Sequence, residues 1–190
     1  ESSTTFTGTG SALKLSNAVT PVAVSRAASY GNLSPAWVDF IAKPGLGNQA
    51  SQVPSSGVGA VCFNFTGDIL AADGSTWVKT GQTFSADTWY RVILKIDFST
   101  HVYGVYISPA STTKIPFLPD KENLHFIDPS IDSISKVGFN GVYNAVNPKN
   151  SYVDDIAVHF IDRSTIITPP QTIGQGKVSG QIIVQFQNAN

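Results

Sequence analysis

The sequence predicts an all-β protein built as a two-sheet antiparallel β-sandwich. Three observations lead there. Short runs rich in Val, Ile, Phe and Tyr recur along the 190 residues. Gly, Pro, Asn, Asp or Ser break them at intervals of roughly 8–12 residues. No long window places apolar residues at helical spacing. With 42% hydrophobic residues the chain can bury a sizeable core, and its length suits one main domain.

Taken in order, the Ser- and Thr-rich lead-in of residues 1–11 carries no period, and Ala12-Leu13-Lys14-Leu15 reads as a short edge strand. The strand candidates that follow are PVAVSRA, AWVDFIAKP, GAVCFNFTG, ILAADG, TWVKTG, WYRVILKIDF, HVYGVYISP, ISKVGFNGV and YVDDIAVHFID. Their β-branched and aromatic side chains fit a pleated, half-buried surface. Asp73-Gly74 reads as a two-residue hairpin turn in which positive φ suits both residues, and Asp97-Phe98-Ser99-Thr100 as a second hairpin connection. The stretch PFLPDKENLHFIDPSIDSI holds three prolines and no strand period, so a long loop with one helical turn at residues 120–123 is expected. The sandwich is expected to span residues 12–167. Residues 168–190, with the Pro169-Pro170 pair, read as a linker or crossing loop and a terminal strand, GQIIVQFQN.

Bulk chemistry excludes several partners. Twelve basic and 13 acidic residues leave a net charge of −1, so there is no footprint for nucleic acid, and no basic run or spanning apolar run points to a membrane. Charged residues make up only 13% of the chain, while Ser, Thr, Asn and Gly are plentiful, a composition associated with extracellular or cell-surface β-proteins. Cys62 cannot form an internal disulfide and reads as a small buried hydrophobe. The absence of methionine, even at position 1, suggests a processed chain or one excised from a larger protein with neighbouring domains. Asn32-Leu33-Ser34 and Asn64-Phe65-Thr66 match the glycosylation sequon, a triplet that also arises by chance.

The strand YVDDIAVHF poses the chemical question. Strict alternation puts Asp154, Ile156, Val158 and Phe160 on one face, and Val153, Asp155, Ala157 and His159 on the other. Asp154 would then head an apolar row, where a carboxylate needs a cation or several donors to offset its desolvation. Three uses compete: a hard-cation ligand, a hydrogen-bond acceptor that fixes a loop, and a catalytic carboxylate.

The run FSADTWYRVILKID at residues 84–97, then HVYGVYI at 101–107 and YVDDIAV at 152–158, resembles the laminin-G-like branch of the concanavalin A-like lectin and glucanase jelly rolls. In that family a D-x-W-Y/H-x-V strand pairs with a Y-x-V-Y-I strand, and a V-D-D-I strand lies near the domain's end. The resemblance covers roughly residues 10–162. It implies a jelly roll whose concave sheet binds glycans, with Trp37, Asp39, Tyr30 and His159 as lining candidates. Trp77, just past a tight turn, is expected to lie open to solvent, where its ring can stack on a sugar. Asn140 and Asn144 join Asp39 as polar groups able to read hydroxyl orientation. Trp89 and Tyr90 read as anchors at the entry to a strand. The resemblance also implies a structural calcium held by Asp154, with Asp155 second. The competing reading gives Asp154 backbone amides to accept from and no metal.

Catalysis is not expected. Retaining glucanases on this fold need two carboxylates about 5 Å apart, supplied as E-x-D-x-x-E, and the only glutamates are Glu1 and Glu122. Gln181-Ile182-Ile183 lacks the histidine of the alginate-lyase Q-I/V-H strand, and there is no G-x-S-x-G turn. His101, His125 and His159 fall singly, without the close spacing of zinc ligands, and His101, at a hairpin, reads as an exposed polar residue. The sequence therefore points to a non-catalytic polysaccharide-binding module, with a structural or adhesive spacer domain as the second reading and a polysaccharide-degrading enzyme as a minor third.

Overall fold

The computed structural model describes residues 6, 12–15, 23–30, 35–47, 51–110, 119–141 and 150–160, with residues 23–30 and 160 as backbone only. Among these residues eleven strands form: β1 (Leu13–Leu15), β2 (Ala23–Tyr30), β3 (Ala36–Lys43), β4 (Val61–Phe63), β5 (Asp68–Asp73), β6 (Thr76–Thr83), β7 (Tyr90–Asp97), β8 (Val102–Pro109), β9 (Lys121–His125), β10 (Ile134–Asn140) and β11 (Ser151–Phe160). No helix occurs among the described residues. The contacts divide the chain into Glu1–Phe160 and Ile161–Asn190, and the second unit, with the expected terminal strand, lies outside the described residues.

One layer is a six-stranded antiparallel sheet in the order β1-β11-β3-β7-β8-β9. The other consists of two separately paired sets, β4-β5-β6 and β10-β2. Alternation decides what lies between them. Ala36, Val38, Phe40 and Ala42 of β3, Val92, Leu94 and Ile96 of β7, and Tyr103, Val105 and Ile107 of β8 form the core with Ile69 and Ala71 of β5 and Ile134 of β10. Phe40 meets Phe139 of β10 edge to face, with ring centroids 5.1 Å apart. Burying each such side chain contributes about 1.5–3 kcal/mol, which makes this layer contact the main source of stability.

Tyr103 crosses that core. It is 1% exposed, and its hydroxyl donates to the Ala72 carbonyl at the end of β5 and accepts from the Ala60 amide at 3.4 Å. Burial pushes its phenol well above the ordinary value, so it stays neutral. Gly59 lies against the ring, where an added Cβ would come within 2.6 Å of Tyr103 Cζ.

Four details depart from the sequence expectations. Asp73 pairs with Thr76 inside the β5–β6 ladder, so the turn residues are Gly74-Ser75, with Gly74 at φ 56; a single leading glycine with positive φ is what a type II′ turn requires. The expected long loop contains β9, whose one buried residue is Leu124, and Asn123 takes φ 57 where β9 bulges against β8 in place of the expected helical turn. His101 is half-buried, its ring edge on Phe126 at 5.4 Å. Cys62 is half-buried as well, and burial raises its thiol pKa.

A further departure, along β11, changes the site. Along β11 the register on β3 runs Asp154 to Ile41 and then Ala157 to Asp39, so three steps on β11 match two on β3. The extra residue is accommodated where Asp155 adopts φ 49. Side-chain parity therefore reverses mid-strand. Val153, opposite Ala42, and Val158, opposite Val38, both lie on the core side. Asp154, Ala157 and His159 share the outer face, and Asp154 never enters the core.

Candidate functional site

The outer face of the six-stranded sheet gathers chemistry that its core face lacks. Cross-strand register builds it in rows, because directly paired residues share a face. In one row His159 of β11, Trp37 of β3, Lys95 of β7 and Gly104 of β8 stand side by side. In the next come Ala157, Asp39, Ile93 and Tyr106, and beyond it Ile41, Arg91 and Ser108.

Trp37 is the centre of the first row. Its ring lies 5.9 Å from that of Tyr106, tilted by 38°. Lys95 carries its ammonium over the indole, 5.6 Å from the centroid. Trp37 Nε1 is a buried donor with no acceptor among the described residues, and buried donors in folded proteins are ordinarily met by a protein group or an ordered water. Burial raises the Tyr106 phenol, and the nearby charge of Glu122 adds to the effect.

Asp39 and Arg91 form the polar part. Arg91 Nε donates to both carboxylate oxygens, at 3.0 and 3.2 Å, and a terminal nitrogen donates to Oδ2. The hydrogen bonds that Arg91 donates to Asp39 hold the guanidinium above its ordinary pKa despite partial burial, helped by the charges of Asp39 and Asp155. The pair is fixed in place by geometry that only arginine provides.

Of the residues expected to line a concave sheet, the structure brings Trp37, Asp39 and His159 together on this face. Arg91, Lys95 and Tyr106 were missed. The alternation Arg91-Ile93-Lys95 in YRVILKID and Gly104-Tyr106-Ser108 in HVYGVYISP carried the signal, since each row is the complement of a core row. Tyr30 pairs through its backbone with Ile134 in the other layer, and its side chain lies outside the described residues. Asn140 is exposed at the end of β10, away from this face, and Asn144 lies outside the described residues.

Trp77 belongs to the other layer too. It is half-buried instead of open, and its Nε1 donates to the Ser51 carbonyl at 2.8 Å. Trp89 serves as a rim anchor: it packs on Phe6 and Tyr152, with Lys43 Nζ 5.9 Å from its ring centre.

Asp154 sits at that rim. Its Oδ2 accepts the Phe6 amide at 3.0 Å and its Oδ1 the Asp155 amide at 3.0 Å. Calcium takes six to eight oxygens, and among the described residues no group of three metal-binding side chains stands around either aspartate. These two amides are the described partners of Asp154, and residues 1–5 and 7–11 of the lead-in lie outside the described residues.

No family model matches the sequence, and no curated protein matches it. Solved structures do. A sialidase superposes with a TM-score of 0.56 at 12% identity, over 80% of this chain and 15% of the sialidase. A family 131 β-glucanase catalytic domain from Podospora anserina matches with a TM-score of 0.45 at 15% identity, over 80% of this chain and 72% of that one. The receptor-binding domain of botulinum neurotoxin type G matches with a TM-score of 0.40 at 12% identity, over 78% of this chain and 39% of that one. The sialidase likeness shows the β-sandwich fold, and the chain spans under a sixth of that protein. It also corrects one expectation. The chain was expected not to be an enzyme because E-x-D-x-x-E is missing, but that argument excludes a single arrangement of carboxylates. Glycoside hydrolases that depart from it include sialidases with a tyrosine nucleophile, and a sialidase contains this fold.

Proposed function

We propose that this domain engages a glycan across the outer face of its six-stranded sheet, as part of an extracellular or cell-surface protein. The observation that carries the reading is the row around Trp37: an indole beside Tyr106, its N–H unpaired among the described residues, flanked by Lys95 and His159 and next to the fixed Asp39–Arg91 pair. A planar ring offers stacking area at little entropic cost, and polar groups held rigidly beside it can read hydroxyl orientation. The strand motifs that resemble the laminin-G-like jelly rolls support the same placement, because they set β7, β8 and β11 in the sheet that bears the face.

Affinity electrophoresis against neutral and acidic polysaccharides, with reducing-end release followed in parallel, tests the proposal. Retardation by at least one polymer, lost in Trp37→Ala and retained in Trp77→Ala, is the expected result. Normal mobility across the panel, or loss only in Trp77→Ala, overturns it. Reducing ends released by the wild type and absent in Trp37→Ala would add turnover to binding on the same face.

A further inference from the structure

We propose that Lys95 selects for glycans bearing carboxylate or sulfate groups by acting as a displaceable occupant of the Trp37 ring face. The inference rests on the glycan reading above and names the ligand's charge class.

Lys95 is exposed, and among the described residues no carboxylate lies within ion-pair distance of it. Its one described partner is the indole, 5.6 Å away. The neighbouring cation differs, since Arg91 is committed to Asp39 through both oxygens. An aromatic face at an exposed site offers the ammonium only the ring quadrupole. An anionic oxygen offers the ammonium a full opposite charge and a hydrogen-bond acceptor together. An anionic substituent therefore wins Lys95 from the ring, and the vacated face becomes available to the sugar that carries the substituent.

A neutral sugar faces the opposite balance, because it must displace the ammonium to stack and offers only neutral acceptors in return. Gly104, next to Lys95 across β7 and β8, keeps the flank of the row free of a side chain. A Cβ there would touch the β9 backbone at 3.4 Å. His159, on the other side of Trp37, is exposed and adds a ring N–H donor to the row. Two carboxylates oppose the effect. Glu122 lies one strand beyond Gly104, and Asp155 acts on Arg91. Neither is held against Lys95, so the ammonium dominates at the ring itself.

Binding constants for polygalacturonate, chondroitin sulfate and a neutral β-glucan, measured by calorimetry on wild type, Lys95→Gln and Trp37→Ala, test this. Expected are binding of at least one acidic polymer, an affinity for it about tenfold lower in Lys95→Gln, the conversion of about 1.4 kcal/mol, and loss in Trp37→Ala. Preference for the carboxylated or the sulfated chain then identifies the substituent. Equal binding of the neutral glucan, or unchanged affinity in Lys95→Gln, overturns the role of Lys95 and leaves the glycan face standing. No binding to any polymer overturns the glycan reading and this inference together.

Discussion

Asp39 and Arg91 lie diagonally on adjacent strands, and the guanidinium grips both carboxylate oxygens with the side chains only 14% and 27% exposed. Removing one partner strands the other in a poorly hydrated place. Arg91→Gln is expected to cost about 2 kcal/mol, a fall in Tm of roughly 4–8 °C for a domain of this size. Combining it with Asp39→Asn should recover part of the loss, because the unpaired charge is then gone. Thermal denaturation of the two single variants and the double variant checks this, and additive losses would refute the coupling.

Tyr103→Phe should destabilise the fold by about 1–2 kcal/mol, since the Ala72 carbonyl loses its donor inside the core. Gly59→Ala should cost as much or more, because its methyl would run into the Tyr103 ring. Urea unfolding of both and of the double variant with Tyr103→Leu should show strong non-additivity, the smaller side chain relieving the clash.

Asp73 ties the β5–β6 turn to the end of β9. Its Oδ1 accepts the His125 amide at 2.9 Å and lies 2.8 Å from His125 Nδ1. The His125 amide first, and then its ring, hold the Asp73 carboxyl below its ordinary value. A carboxyl depressed on folding stabilises the protein above its unfolded pKa of about 4, and that contribution fades as pH falls through the folded value. Asp73→Asn should therefore be less stable than wild type at pH 6, with the gap closing toward pH 3. Urea midpoints across that range measure it, and a constant gap would exclude the linkage.

Asp154→Ala removes the acceptor of the Phe6 amide. A loss of roughly 1 kcal/mol, about 2–4 °C in Tm, is expected, equal with and without chelator. A chelator-induced drop in wild type that vanishes in the variant, with calcium found by elemental analysis, would install a metal there instead.

The layers were legible because β3, β7 and β8 alternate without interruption, so the core row and its complement can both be read from AWVDFIAK, YRVILKID and VYGVYISP. That also made Trp37 and Asp39 readable as one outward row. β9 escaped because KENLH buries only Leu124 and carries two charges, which leaves no period to detect. The Asp39–Arg91 pair and the Trp77 tether to Ser51 depend on register between segments 52 and 26 residues apart, information that no local window contains. Asp154 was assigned to the wrong face because a bulge is invisible to any rule that counts by twos.

That bulge has a consequence for kinship. With one supernumerary residue at Asp155, β11 is two short strands of opposite phase spliced end to end. An ungapped match to an unbulged counterpart can honour the first half or the second, never both. A relative whose strand runs straight would align only with a single-residue gap in VDDI, inside the stretch that looks most diagnostic, and its aspartate and histidine would otherwise be compared with residues on the opposite side of the sheet.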